Sequence, residues 1–353
     1  MPVRLGGLGI ANPVQTADRE YETSRKVTAN LTELIKLQEF SLESYNQKSV
    51  RACISRLKEE KELTLKQKLV DILAELKKSD KRAARSLQLA QEKGCGAWLS
   101  ALPLRSMGYN LNKQEFLDSV KLRYGWKIVD IPSYCVCGTK NDIDHTLICK
   151  NGGHIIFRHN RIRDVNADFL RQVCHNVMVE PELIPVESDS FQSVHGNRAD
   201  KARLDIAANG LWGTFQKTMF DVRIFHPYAK TYEDQNIADV YLLHEKEKRR
   251  NYLQRVLQIE KASFTPLVYS TNGGMAPEAR KFHKKVAHLI ADKTRESYSD
   301  VINVMRTKLS FAMLRSVLIS VRGSRGKTRR IAETPLSCMS FNLVPGLQDY
   351  ETY

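Results

Sequence analysis

The feature that most constrains this fold is a pair of short apolar runs that each carry an aspartate in the middle. Asp205 lies in "RLDIA" and Asp221 lies in "MFDVRIF", with Gly210 and Gly213 between the two runs. Both runs have the composition of strands, and an acid is disfavoured in the middle of a half-buried strand. An acid in each of two neighbouring strands therefore needs a chemical reason.

The predicted register of the two strands brings these acids together. Residues that face each other in a hairpin have a constant sum, so a hairpin folded about Gly213 pairs Asp205 with Asp221. Side chains alternate along a strand, which predicts both aspartates on one face of the sheet. The other face then carries Leu204, Ile206, Phe220 and Val222. Facing carboxylates repel, and a divalent cation such as Mg²⁺ or Mn²⁺ would offset the repulsion. The alternative is an amphipathic hairpin with both acids in solvent.

The order of the other segments predicts the fold class. Residues 16–93 contain no Pro or Gly and predict helices with breaks near Gln47 and Ser79. Residues 154–271 read as helix, three strands, helix and strand, and two further helices fill residues 276–320. The expected fold is α+β or α/β, with a mixed sheet flanked by helices. The predicted regions are an all-helical part (1–130), a small Cys/His module (131–153), the sheet domain (154–275), C-terminal helices (276–322) and a basic, then polar tail (323–353).

A group of potential metal ligands precedes the predicted sheet domain. Cys135 and Cys137 are followed by His145 and Cys149, all within fifteen residues. Zinc binds four such ligands in a tetrahedron, and a site filled by protein ligands is structural. The alternative is three buried free thiols beside an unrelated histidine. The chain has seven cysteines, and this odd number fits a reducing compartment better than a disulfide framework.

The charge of the chain indicates a polyanionic partner. The formal net charge is +15, which is typical of proteins that bind nucleic acid, although exposed lysines on any soluble protein would give the same value. The basic segment "RGSRGKTRR" at 322–330 is a further candidate for DNA contact. No apolar run reaches the length of a membrane span, and the N-terminus has no pattern of a secretory signal.

The order of these motifs resembles the C-terminal region of site-specific non-LTR retrotransposon proteins. In that family a Cys/His knuckle precedes a restriction-like endonuclease of the PD-(D/E)XK type. Residues 131–260 carry the resemblance through the Cys/His set, Arg158-His159-Asn160, Glu180-Pro181, the two acids, and a lysine-rich helix with a tyrosine. Leu204 stands where the family has a proline, and Arg223 stands where it has a lysine. Residues 1–130 resemble the segment after the reverse transcriptase palm through "GGLGI" and "LPLRSMGY", and the chain has no Tyr-x-Asp-Asp polymerase signature.

The resemblance implies roles for individual residues. Asp205 and Asp221 would bind Mg²⁺ or Mn²⁺, and Glu180 or Glu182 would supply a third oxygen ligand. Arg223 would hold a phosphate, because a guanidinium does not release its proton. The catalytic lysine would lie on the next helix. Lys246 is preferred to Lys248 because it follows Leu243 by three residues on a buried stripe traced through Leu243, Leu253 and Leu257. The implied nucleic-acid contacts are Arg158, His159, Asn160, Arg203 and Lys248.

The implied function is nicking of target DNA to leave a 3′ hydroxyl, which in the family primes reverse transcription. The partners would be DNA and element RNA, and the location would be the nucleus or else the cytoplasm. A nucleic-acid-binding remnant without catalysis is a second interpretation, and a structural helical protein is a third. The acid pair separates the first two, because a protein that only binds has no need of two carboxylates where a phosphate would lie.

Overall fold

The computed structural model describes residues 1–38, 47–186, 196–199 and 201–323, which form two compact units, 1–91 and 92 onward. Most of the predicted tail, 324–353, lies outside the described residues. The helices and strands are α1 (Pro13–Leu37), α2 (Gln47–Ser79), α3 (Lys81–Ala90), α4 (Ala97–Ser100), α5 (Lys113–Tyr124), α6 (Ile143–Ile148), α7 (His154–Arg171), β1 (His175–Val179), β2 (Ile206–Asn209), β3 (Lys217–Phe225), α8 (Ile237–Gln258), β4 (Ser263–Ser270), α9 (Pro277–Thr294) and α10 (Tyr298–Arg322). None of the helices in these ranges is both long and apolar enough to cross a membrane.

Among the described residues of the first unit, α1 and α2 bury few side chains and α3 buries more. The breaks predicted near Gln47 and Ser79 are confirmed as the two ends of α2. Asp80 caps α3, because its side chain accepts a hydrogen bond from the backbone N–H of Ala83 at 2.9 Å. Leu69 is the one buried residue recorded in α2, and none is recorded in α1. Local helix propensity therefore contributes much of what defines α1 and α2, whereas α3 buries a face that includes Leu87 and Leu89.

The second unit is built on a four-stranded mixed sheet in the order β1-β2-β3-β4. β1 and β2 pair antiparallel, β2 and β3 pair antiparallel, and β3 and β4 pair parallel. Ile206 faces Phe220 in the β2–β3 hairpin, which confirms the register predicted from the sequence. β4 lies at the edge of the sheet and tolerates Pro266 in its middle, because one side of an edge strand needs no hydrogen-bond donor.

The two faces of the sheet carry different helices. The larger core contains Phe169 of α7, Phe282 of α9 and Met305 of α10, packed with Phe220 of β3. α8 packs on the other face, where Val256 shares a smaller core with residues of β2 and β3. Residues of β3 alternate between these cores. Asp221 follows Phe220 and therefore projects toward α8.

One prediction about the faces is wrong. Leu204 does not share a face with Ile206, since it packs with Met219 in the core under α8. Regular pairing in β2 begins only at Ile206, so the alternation of side chains does not extend back to Leu204. The carboxylate of Asp205 instead accepts a hydrogen bond of 2.5 Å from the backbone N–H of Val222. The two aspartates consequently do not lie side by side in a regular ladder.

A buried carboxyl group near the start of the second unit makes stability depend on pH. Glu92 accepts a hydrogen bond of 2.8 Å from the hydroxyl of Tyr241, and its carboxyl group fills the space where Gly274 has no side chain. Burial raises the pKa of Glu92 from 4.5 to about 7, although Tyr241 and Arg280 act in the opposite direction. The folded protein thus retains a proton that the unfolded chain releases near pH 4.5. The free energy of unfolding should therefore decrease by about 3 kcal/mol as the pH rises from 4.5 through 7.

Substitution of Glu92 by Gln is expected to remove this pH dependence. Glu92→Gln keeps an acceptor for Tyr241 and cannot ionise, so at pH 8 the variant should be more stable by about 2–3 kcal/mol. At pH 4.5 the two proteins should be equally stable. Urea unfolding at both pH values measures the difference, and Glu75→Gln on the exposed side of α2 is the matched control. Equal stability of Glu92→Gln and the original chain at pH 8 would contradict a neutral Glu92.

Candidate active site and metal centre

A cavity of about 190 Å³ opens where α7, β3 and α8 meet. Three apolar residues line it, namely Ile155, Val222 and Ile224. The remaining lining consists of six ionisable side chains that the sequence analysis identified as candidates: Arg158, His159, Asp205, Asp221, Arg223 and Lys248. The fold therefore brings together residues from two helices and from the β2–β3 hairpin.

Asp221 and Lys248 form a largely buried ion pair in this cavity. The Nζ atom of Lys248 lies 2.6 Å from Oδ2 of Asp221, and the two side chains are 17% and 8% exposed. Burial raises the pKa of Asp221 to about 6, Lys248 opposes this increase, and the neighbouring Asp205 adds to it. Burial therefore disfavours the charged form of Asp221, and the ammonium group of Lys248 offsets part of that cost.

The prediction that Lys246 points toward the sheet is wrong. The Lys246 side chain is exposed, as are Leu243 and Leu257, which the sequence placed on the buried stripe. α8 buries His244 and Glu245 instead. Lys248 follows His244 by one helical turn and so reaches the cavity. A hydrophobic pattern cannot reveal a stripe that is partly made of polar residues.

Asp205 is held from the side of α7. Its Oδ2 atom lies 3.2 Å from Nε2 of His159, and Nδ1 of His159 lies 3.3 Å from Oδ1 of Asn160. Burial lowers the pKa of His159, but the hydrogen bond and charge of Asp205 outweigh burial and raise it. Burial also raises the pKa of Asp205, and hydrogen bonds from His159 and Val222 outweigh that effect and lower it. Each acid of the cavity thus has a basic partner on a different helix.

The two arginines of the cavity differ in exposure. Arg158 is 3% exposed and donates to the carbonyl oxygen of Leu147 at 2.8 Å and to Oγ of Ser320 at 3.4 Å. It therefore connects α7 with α6 and α10 as well as lining the cavity. Arg223 is exposed on β3 at the rim. Of the two, Arg223 has the guanidinium that an anion from solvent can reach.

Glu180, Glu182 and Arg203 lie beside the cavity and do not line it. Arg203 lies 2.6 Å from Glu182 and 3.9 Å from Glu180, and Glu180 also pairs with Arg163. Glu180 has a φ of +51°, so the extended backbone of β1 does not continue through both glutamates. The backbone N–H of Glu180 donates to the carbonyl oxygen of Asp205 at 2.9 Å, which keeps Glu180 close to the acid pair. Arg163 was missed, although it follows His159 by four residues on the same helix.

The Cys/His set forms a compact cluster. The ligand atoms of Cys135, Cys137, His145 and Cys149 all lie within 4.8 Å of one another. The two Sγ atoms of Cys135 and Cys149 are 3.7 Å apart, and Sγ of Cys137 lies 3.3 Å from Nε2 of His145. A tetrahedral zinc with Zn–S bonds of about 2.3 Å requires sulfur atoms about 3.8 Å apart. The cluster could therefore bind a metal such as zinc.

Local structure explains how the sequence forms this cluster. A turn at Gly138, with a φ of +84°, brings Thr139 back to Cys135, whose N–H donates to the Thr139 carbonyl at 2.9 Å. Asp142 caps α6 by accepting the N–H of His145 at 2.7 Å, which fixes the first turn of the helix. Hydrogen bonds from Thr139 lower the pKa of Cys137 to about 6. This favours the thiolate, the form that binds metal.

Two contacts join α6, which carries His145, to the elements that form the cavity. Nε2 of His226 lies 2.9 Å from Oδ1 of Asp144, which directly precedes the potential ligand His145, and Nδ1 of His226 lies 2.9 Å from Oγ1 of Thr271. His226 follows the end of β3, the strand that carries Asp221. The bond from Arg158 to the Leu147 carbonyl is the second contact.

No model of a known protein family matches the chain, and a search of curated proteins finds no similar sequence.

Proposed function

We propose that the protein is a metal-dependent DNA endonuclease that nicks its target, with a restriction-like core of the kind found in non-LTR retrotransposon proteins. The observation that carries the proposal is the convergence of Asp205, Asp221 and Lys248 in one cavity. Two carboxylates with a lysine at the same point suit hydrolysis of a phosphodiester, in which negative charge increases in the transition state.

The acid pair fits a hard divalent cation. Mg²⁺ is commonly held by one or two carboxylates and takes its other ligands from water and phosphate, so Asp205 and Asp221 are a sufficient protein contribution. Glu180, which lies close to Asp205 through its backbone, is the candidate for a third oxygen. When bound, the cation would polarise the scissile phosphate and increase the acidity of a bound water.

The basic residues of the cavity have separate roles in this proposal. Lys248 lies against Asp221 and would stabilise the negative charge of the phosphate in the transition state. Arg223 at the rim would hold a phosphate oxygen as a fixed cation. His159 and the backbone of Val222 orient the carboxylate of Asp205. Arg158 anchors the first turns of α7, on which His159 lies.

A nucleic-acid-binding protein without catalysis is the second candidate. The observation that favours it is that each acid already has a basic partner, Lys248 on Asp221 and His159 on Asp205. Such pairing would keep the cavity folded with no cation. The two candidates differ in one property, which is turnover in the presence of a divalent metal.

Incubation with supercoiled plasmid tests the proposal. We expect Mg²⁺ or Mn²⁺ to support conversion to nicked circles and EDTA to prevent it. The two carboxylates repel a phosphate unless a cation lies between them and the phosphate. The nicks should end in 3′ hydroxyls, which a DNA polymerase can extend. Binding to the same plasmid should weaken steeply with salt, as expected from the charge of +15. Salt-sensitive binding with no cleavage by either metal would favour the second candidate.

A further inference from the structure

Between residues 279 and 291, the exposed positions of α9 carry basic side chains only. Arg280, Lys281, Lys284 and His288 are exposed, Lys285 is half-buried beside them, and residues 279–291 contain no acid. The inner face of the same helix is buried in the large core. These five residues, the α9 stripe, extend over about 12 Å of helix.

The charge pattern of this stripe differs from that of an ordinary solvated helix. In α2, lysines and arginines alternate with acids and pair with them, as Lys66 does with Glu62 and Arg56 with Glu60. Mixed signs of this kind give solubility and contribute little else. The α9 stripe has no acid between Glu278 and Asp292. Over these positions the helix itself contributes positive charge and no negative charge, which favours the approach of a polyanion.

The β2–β3 hairpin places one aromatic residue against the stripe. The Nζ atom of Lys281 lies 5.2 Å from the centre of the Trp212 ring, and Nε1 of Trp212 donates to Oγ1 of Thr265 at 3.2 Å. Trp212 is thus fixed between β4 and the stripe. Phe215, three residues further along the hairpin tip, is 94% exposed. The contact of Lys281 with Trp212 joins the hairpin tip to the stripe, and the exposed Phe215 ring lies three residues from that contact along the chain.

We propose that this surface binds single-stranded nucleic acid. Proteins that bind single strands combine cations that follow the backbone with aromatic rings on which unpaired bases stack. Phe215 supplies the ring and the α9 stripe supplies the cations. A duplex would use the cations but not the ring, because its bases are already stacked. The surface shares no residue with the cavity, and the proposal therefore does not depend on nuclease activity.

Fluorescence anisotropy with labelled oligonucleotides of about 20 nucleotides tests this proposal, with single-stranded DNA, single-stranded RNA and duplex DNA as separate arms. Phe215→Ala should weaken single-strand binding by about tenfold and leave duplex binding unchanged. Lys284→Gln/Lys285→Gln should reduce the slope of log affinity against log salt by about 1.4 for single strands, which is the loss of two phosphate contacts. Comparison of the DNA and RNA arms identifies which strand is preferred.

Two controls remove an equal charge or an exposed apolar side chain away from this surface. Lys58→Gln/Lys68→Gln removes the same charge from exposed positions of α2, and Leu102→Ala removes an exposed apolar side chain that is 72% accessible. Neither should change single-strand affinity by more than about twofold. Thermal unfolding should be unchanged in all four variants, because every substituted side chain is at least partly exposed. Unchanged single-strand binding by Phe215→Ala, or an equal loss in the α2 control, would overturn the proposal.

Discussion

Lys248→Ala is expected to reduce the rate of plasmid nicking by at least about 10²-fold, whereas Lys246→Ala should leave it unchanged. The two lysines lie two residues apart on α8 and carry the same charge. Lys248 is 2.6 Å from Asp221 inside the cavity, and Lys246 is exposed to solvent. A general electrostatic contribution to DNA binding would be lost similarly in both variants. A contribution at the scissile phosphate would be lost only in Lys248→Ala.

The measurement is single-turnover nicking with Mg²⁺, together with DNA affinity under the same conditions. Affinity should change by less than about tenfold in either variant, because one phosphate contact among several is removed. Lys248→Ala leaves the buried Asp221 without its partner, so its stability must be measured in parallel. The double variant Asp221→Asn/Lys248→Met removes both charges, and it should fold and bind DNA without nicking. Equal nicking by the Lys246 and Lys248 variants would show that the cavity is not the site of the chemistry.

The hairpin that carries the two acids could be predicted because its determinants are local. The glycines at 210 and 213 place the turn, and the alternation of apolar residues then determines the register. The structure confirms this register at Ile206 and Phe220. The prediction that Asp205 faces Asp221 in a regular ladder failed one residue beyond the strand. There the carboxylate of Asp205 accepts a hydrogen bond from the backbone N–H of Val222. Periodicity carries no information about residues outside the element.

The buried side of α8 could not be predicted for a different reason. Arg255 is fully buried, and its guanidinium donates to the carbonyl oxygens of Ile184, Asn197 and Ala199 at 2.8–3.1 Å. These acceptors lie more than fifty residues away in the chain. A buried polar residue is compatible with the core only when distant backbone groups satisfy it, and no local pattern encodes those partners. The same limitation explains why Lys246 was preferred to Lys248 and why Arg163 was missed.

The Cys/His cluster could be predicted, because its four ligands are close in sequence. The contacts that join α6 to distant elements could not be predicted in this way. Spacing alone predicted the four residues that the structure brings within 4.8 Å. Spacing did not predict the two contacts that α6 makes with distant residues. The Asp144 carboxylate pairs with His226, and the Leu147 carbonyl accepts a hydrogen bond from Arg158. These two bonds connect the cluster to the end of β3 and to the start of α7. The position of α6 should therefore affect the residues that line the cavity.

Purified protein is expected to contain about one equivalent of zinc, and its removal should loosen the start of α7 as well as the cluster itself. Structural zinc contributes about 10–16 kcal/mol of apparent binding energy in small domains, so Cys149→Ser should lose most of its metal. Amide hydrogen exchange should then increase in residues 135–149 and in the first turn of α7, because Arg158 loses a fixed acceptor on α6. Cys174→Ser is the matched control, since Cys174 is buried to a similar degree and lies outside the cluster. Full zinc content in Cys149→Ser, or unchanged exchange at the start of α7 after the metal is removed, would contradict this coupling.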